Sequence, residues 1–269
     1  MVGSNTPLQE LTRRIITAAV LCAVLFMVLY LGTLTAFMAV LVVASLSLRE
    51  WCGLCSCWPN QHRLVALVLA CAAATAVWGE IMADGARVYL GAFVAMQCFF
   101  AYIVWVYARH GFKGLDRYNV SMWVQGVLLI VLSARSVLLS VLKSEWLTLY
   151  IIALVAISDI AGFVCGKLLG KGRPFPVLSP NKTWAGTVAM CLAPFAMGML
   201  IQHAVGQWWY SPAWLLSIGP LALHGDLWVS LIKRYKSVKH TGEALPGHGG
   251  WLDRIDSHVM VFAWLAVCY

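Results

Sequence analysis

IITAAVLCAVLFMVLYLGTLTAFMAVLVVASLSL, residues 15–48, runs for 34 positions without a charged side chain. As one helix at 1.5 Å per residue it would extend about 51 Å, far beyond the roughly 30 Å hydrocarbon core of a bilayer. It therefore divides, most naturally at Gly32, into two short membrane-crossing helices. The same pattern recurs along the chain. Leu64–Gly79, Val88–Ala108 and Tyr118–Ala134 each supply one more uncharged run, and Trp146–Cys165 supplies a sixth span with Asp159 inside it. Thr183–Gly225 is again of double length. It is expected to turn between His203 and Tyr210, where Trp208, Trp209 and Tyr210 form an aromatic cluster suited to a membrane interface and Pro212 can open the next helix. The last run, Ser257–Tyr269, is a span only if its helix begins earlier, near Ile255.

Composition demands the same solvent. Of 269 residues, 61% are hydrophobic and 11% charged, whereas a typical globular domain carries about 25% charged residues. So few charges cannot cover a water-exposed surface, and the mean hydropathy of +0.81 agrees. Intrinsic disorder, a collagen-like repeat and a disulfide-stapled secreted domain are excluded on the same grounds. The nine cysteines lie mostly in apolar runs and imply no disulfide framework. Cys52, Cys55 and Cys57 with His62 could ligate zinc, but their spacing matches no established zinc pattern. The expected architecture is an all-α polytopic membrane helix bundle of about nine transmembrane helices with a cytoplasmic N-terminus. That topology places sixteen of the nineteen Lys and Arg on the cytoplasmic side, leaving Arg87, Arg135 and Lys143 outside, as the positive-inside rule requires. The first apolar helix lacks a small-residue cleavage site and is expected to be retained. The net charge of +8 suits anionic lipid or nucleotide as partner, with nucleic acid not expected.

The two portions differ in kind. Residues 1–145 read as a scaffold of bland spans, while residues 146–269 interleave acids, glycines and basic loops with apolar helix and read as the catalytic portion. Asp159 lies well inside a span, and Asp226 lies where a long apolar helix reaches its polar end. Carboxylates so placed are expensive unless paired or bound to a cation, so both are functional suspects. Gly162, Gly166 and Gly170 recur every four residues and let a helix or a headgroup approach the backbone. Ser179-Pro180-Asn181-Lys182-Thr183 combines a turn, a cation and hydroxyls at a helix start, which suits a phosphate. Further on, Asp226 and Ser230 share a helix face that ends in Lys233 and Arg234, with Lys239 beyond. The loop Pro246-Gly247-His248-Gly249-Gly250 lets backbone amides approach a ligand, and Asp253 and Asp256 flank Arg254 one turn apart. Three carboxylates among five cations are the makings of a divalent-metal site facing a polyphosphate, and hard oxygen ligands suit magnesium.

These residues resemble the bacterial-type phosphatidate cytidylyltransferase (CDP-diacylglycerol synthase) family. Its C-terminal pattern is matched by Ser230, Lys233-Arg234, Lys239, Pro246-Gly247-His248-Gly249-Gly250, Asp253-Arg254 and Asp256, with Gly225-Asp226 upstream. Ser158-Asp159, the Ser179–Thr183 loop and Glu50-Trp51 are similar to the family's earlier elements. One position departs: His240 stands where the family has Asp. The resemblance implies a multi-pass enzyme of the bacterial inner (cytoplasmic) membrane that joins CTP to phosphatidate, releasing pyrophosphate. It implies one or two magnesium ions held by Asp226, Asp253 and Asp256. Lys182, Lys233, Arg234, Lys239 and Arg254 would clamp phosphates, while Asp159, Ser179, Asn181, Thr183, Ser230, His248, Gly249 and Gly250 would line the substrates. The lipid bilayer is a partner by construction, and the sequence leaves the oligomeric state open, a homodimer included. The rival reading is a secondary transporter or ion channel that uses Asp159 and Asp226 as ion-coupling carboxylates.

Overall fold

A computed structural model describes residues 20, 23–28, 30–55, 85–244 and 249–266 of the chain. The expected span over 64–79, together with Cys57, His62 and His248, lies outside the described residues. Within them the structure is helical: α1 (Thr33–Cys55), α2 (Gly85–His110), a 3-10 turn (Phe112–Tyr118), α3 (Asn119–Lys143), α4 (Glu145–Leu169), α5 (Trp184–Val205), α6 (Pro212–Tyr235) and α7 (Leu252–Leu265). Five stretches are long and apolar enough to cross a membrane: Thr33–Leu54, Phe112–Lys143, Glu145–Leu169, Trp184–Val205 and Pro212–Tyr235. Residues 23–28 are helical ahead of α1, and Gly32 separates the two with a φ of 101°, so the long apolar run breaks where its length predicts.

Local chemistry sets the other ends. Ser144 caps α4 by accepting a hydrogen bond from the Leu147 amide, Thr183 caps α5 through the Gly186 amide, and Ser211 caps α6 through the Trp214 amide. Pro212 is the first residue of α6, and Gly206 closes α5 in the left-handed conformation with a φ of 71°. The expected turn after His203 thus spans residues 206–211 and is fastened by Gln202. Its side-chain nitrogen donates to the Tyr210 carbonyl at 3.1 Å, and its oxygen accepts from the Tyr210 amide at 2.9 Å. One boundary differs from expectation. The run ending at Ala134 continues through Arg135 to Lys143, and Arg135 is 3% exposed instead of lying in an external loop. A single long cationic side chain inside a bundle interrupts hydropathy without interrupting the helix. The last helix begins at Leu252, ahead of Ile255, and its 14 residues rise about 21 Å, short of a full crossing.

Two clusters of buried side chains share α6 and α7. Trp51, Met122, Leu129, Trp228, Ile232 and Met260 join those helices to α1 and α3, while Ile151, Leu154, Met190, Leu215, Ile218, Val261 and Phe262 join them to α4 and α5. Large apolar side chains also face outward, among them Phe163, Leu168, Trp184, Val188 and Leu200. An outer surface this apolar fits hydrocarbon, not water.

Three close approaches position the site. A side chain at Gly186 would collide with the Gly162 carbonyl and the Gly166 backbone, so the small-residue stripe of α4 is where α5 packs. A side chain at Gly225 would collide with the Asp256 carbonyl, so this glycine lets α7 press against α6 one residue from Asp226. Trp51 is 1% exposed, fits against Gly126 and donates from Nε1 to the Trp123 carbonyl at 3.0 Å. That anchor fixes the end of α1 and with it the preceding residue, Glu50.

Candidate functional site

A cavity of about 580 Å³ opens between α4, α5, α6 and α7. Asp159 enters it from α4, Asn181, Lys182 and Thr183 from the approach to α5, Asp226 from α6 and Asp256 from α7, with Ser179 and Ser257 also in the wall. Phe163, which is 70% exposed, lines the same cavity and joins it to the outer apolar surface. The carboxylates are held by specific donors. Lys182 Nζ lies 2.7 Å from Asp226 Oδ2, and Ser230 Oγ donates to Asp226 Oδ1 at 3.2 Å. Ser257 Oγ donates to Asp159 Oδ1 at 3.2 Å, tying α7 to α4, and the Ser257 amide donates to Asp256 Oδ1 at 2.9 Å.

Asp253 stands beside this cavity and not in its lining. Its Oδ1 accepts from Lys233 Nζ at 2.8 Å, and its Oδ2 accepts from the amides of Thr241 at 2.9 Å and Gly250 at 3.1 Å. Asp253 lies in the first turn of α7, outside the five membrane-length stretches. Burial pushes its carboxyl upward, but the hydrogen bond and charge of Lys233 and the two backbone amides outweigh burial, holding Asp253 below its usual range. Lys233 also attracts Asp256, so one ammonium serves both acids of α7. His240 Nδ1 is 3.7 Å from Asp253 Oδ2, which puts the departing residue directly against a proposed ligand.

The sequence-predicted residues therefore fall into two neighbouring groups. Asp159, Ser179, Asn181, Lys182, Thr183, Asp226 and Asp256 share the cavity. Ser230, Lys233, Asp253, Gly249 and Gly250 form the adjoining layer, with Gly249 in the left-handed region at a φ of 83°. Arg234, Lys239 and Arg254 are exposed, and Arg234 Nε makes a long 3.4 Å contact to the Leu178 carbonyl near the Ser179 loop. Glu50, marked in the sequence only through the Glu50-Trp51 resemblance and given no role there, is a further contributor. From the end of α1 it accepts hydrogen bonds from Thr241 Oγ1 at 2.8 Å, the Trp251 amide at 2.9 Å and the Leu252 amide at 3.0 Å. It caps α7 in place of a local residue and pins both ends of the glycine loop. Its closeness to Gly250 is such that any side chain there would strike the Glu50 carboxylate.

Among the described residues no group of three or more His, Cys, Asp or Glu side chains stands as a closed metal cage. Magnesium does not require one, because it is usually held by one or two carboxylates with substrate phosphates and water completing the shell. The donor set fits that chemistry: hard oxygen atoms only, several acids about one cavity, and lysine ammonium groups already acting as their counter-charges.

A model of the cytidylyltransferase family matches residues 12–269. Among curated proteins, the phosphatidate cytidylyltransferase of Brucella suis biovar 1 (strain 1330) is 38% identical over 118 residues, 43% of this chain and 44% of that protein. The protein of the same name from Helicobacter pylori (strain J99) is 39% identical over 121 residues, 44% of each chain. That from Staphylococcus epidermidis (strain ATCC 35984) is 35% identical over 128 residues, 44% of this chain and 47% of the other. The match thus spans less than half the length of these relatives.

Proposed function

We propose, because the chain belongs to the cytidylyltransferase family, that it transfers the cytidylyl group of CTP to phosphatidate, giving CDP-diacylglycerol and pyrophosphate. The observation that carries this reading is the cavity in which Asp159, Asp226 and Asp256 meet Lys182 and the Ser179–Thr183 loop beside an outward-facing apolar wall. An oxygen of the phosphatidate phosphate attacks the α-phosphorus of CTP, and the bond from that phosphorus to the bridging oxygen breaks, so that pyrophosphate leaves with the electron pair. A phosphomonoester is largely dianionic at neutral pH because its second pKa is about 6, so no side chain need remove a proton. The obstacle is the repulsion between two anions.

Side chains of this site oppose that repulsion. Lys182 and Lys233 each hold a carboxylate now and are placed to turn toward phosphate oxygens, with Arg234, Lys239 and Arg254 at the exposed rim. The start of α5, capped by Thr183, offers further anion donors. Asp226, Asp253 and Asp256 would hold one or two magnesium ions, whose bound charge would neutralise the triphosphate. Asp159, linked through Ser257 to α7, keeps the wall between α4 and α7 in register. Apolar helix faces at Phe163 supply the path by which a lipid enters from the side with its headgroup at the cavity.

Membrane placement follows the same reasoning: about nine helices in the bacterial inner membrane, with the N-terminus and the cavity on the cytoplasmic side, supported by the concentration of Lys and Arg near the site. Residues 146–269 act as the catalytic portion and residues 1–145 as the scaffold, with Glu50 as the scaffold's reach into the site. The test is incubation of purified protein with phosphatidate, magnesium and labelled CTP. CDP-diacylglycerol and pyrophosphate should form in equal amounts, and Asp253→Ala should abolish turnover while the protein stays folded. Full activity in that variant would remove the assignment of Asp253, and absence of product in the wild-type protein would remove the function.

A further inference from the structure

A second polar cavity, of about 550 Å³, lies at the corner where α2 passes through the 3-10 turn into α3. It is lined by His110, Lys113 and Arg117 together with Tyr102, Trp105 and Tyr118. Gly111, at a φ of 62°, makes the corner possible, and Gly114 packs so tightly on His110 that a side chain there would meet the His110 Cβ at 2.6 Å. The cations are therefore gathered by a built turn and not scattered along a loop. Asp116, the acid of this wall, accepts a 2.7 Å hydrogen bond from Tyr235 Oη, and no ion pair joins it to Lys113 or Arg117 among the described residues. That bond also fixes the sidedness of the corner, because Tyr235 ends α6 two residues after Lys233. The cavity thus sits at the same end of the bundle as the catalytic layer but shares no lining residue with the catalytic cavity.

We propose that this corner binds the phosphate of an anionic phospholipid headgroup, a lipid separate from the substrate. Lys113, Arg117 and His110 supply the cationic side. Tyr102 and Tyr118 place their hydroxyls 2.7 Å apart, so whichever donates to the other leaves one phenolic proton for a phosphate oxygen. Trp105 is 50% exposed and Tyr102 43%, their rings stacked 5.9 Å apart, and Val120 just past Tyr118 is 57% exposed, giving an amphipathic to apolar flank along which acyl chains can lie. Arg109 stacks 5.4 Å from the Trp105 ring and adds charge at the rim. A soluble anion would use the cations alone, whereas a phospholipid uses cations and flank together. Clusters of Lys and Arg at the ends of membrane helices attract anionic headgroups on the cytoplasmic leaflet.

The proposal is independent of the catalytic assignment, and its test reads lipid occupancy. Full-length protein is extracted from phosphatidylcholine bilayers containing a minor fraction of phosphatidylglycerol, and retained lipids are counted by native mass spectrometry. The wild-type protein should keep one phosphatidylglycerol. Lys113→Gln with Arg117→Gln should weaken retention about thirtyfold, a factor of about five for each lost cation, with an unchanged melting temperature. Tyr102→Phe with Tyr118→Phe should weaken it less, and the inactive Asp253→Ala protein should retain lipid as the wild type does. Lys171→Gln with Arg173→Gln removes the same charge from another exposed segment. Equal loss in that control would reduce the effect to general surface charge and overturn the proposal. Displacement by inorganic phosphate alone, or equal retention of phosphatidylcholine, would overturn it as well.

Discussion

Replacing Glu50 by Gln removes one acceptor from the clamp that holds the glycine loop and leaves the packing of α1 untouched. The carboxylate receives donors on both oxygens: Trp251 N–H on Oε1, and Leu252 N–H with Thr241 O–H on Oε2. A carboxamide offers one oxygen and one NH₂ group, so whichever way it turns, its nitrogen faces a donor. The less costly orientation keeps the two bonds at the former Oε2 and leaves the Trp251 amide opposed. Hydrogen bonds to charged groups contribute roughly 1.5–3 kcal/mol each, so the loop should lose about that much ordering free energy. If Asp253 is productive only while the Thr241 and Gly250 amides hold it, kcat/KM should fall about tenfold to a hundredfold, at 1.36 kcal/mol per factor of ten. Glu50→Asp should fare no better, because one methylene less withdraws the carboxylate from all three donors. The assay is the initial rate of CDP-diacylglycerol formation across a CTP titration, with thermal unfolding monitored on the same samples. A wild-type rate in Glu50→Gln, with unchanged stability, would refute the clamp.

Two other outcomes follow from the geometry around Asp253. Chelation of divalent cations should abolish cytidylyl transfer, and added magnesium should restore it; activity undiminished by chelation would remove the metal from the site. His240→Asp should keep or raise the rate at saturating magnesium, because it puts a carboxylate at the position whose present side chain lies 3.7 Å from Asp253 Oδ2 and makes the pair oxygen-rich, and a collapse in rate would give His240 a role of its own.

How far the sequence reveals the fold depends on what the solvent dictates. Hydrocarbon imposes a length rule on every span, so the break at Gly32, the turn before Pro212 and the start of α4 next to Glu145 are all read from charge-free runs and local caps. That rule fails at Arg135, because hydropathy cannot distinguish a cation in an external loop from one buried inside the bundle. It also cannot place the site by itself. The spacing of Asp226 and Ser230 gives their hydrogen bond directly, since four residues on a helix make one face. Asp253 and Asp256 share a helix, yet one turns to Lys233 and the loop while the other enters the cavity, a division that depends on α6 and α4 as neighbours. Glu50 is the extreme case: the resemblance marks the pair Glu50-Trp51, but its partner amides lie about two hundred positions along the chain, and no spacing rule joins them.

The pairing of acids with lysines explains how such a site survives in a membrane protein. Asp226 and Asp253 would each be costly if left alone, and their lysine partners at 2.7 and 2.8 Å offset that cost before any substrate arrives. In the proposed reaction the same lysines would meet phosphate, and a carboxylate released by its lysine would be free to meet a cation. Stability without substrate and charge transfer to substrate therefore draw on one set of ion pairs. On that logic a single Lys182→Met change is harsher than a lost phosphate contact alone, because it also strands Asp226 at the cavity wall with only Ser230 to hold it.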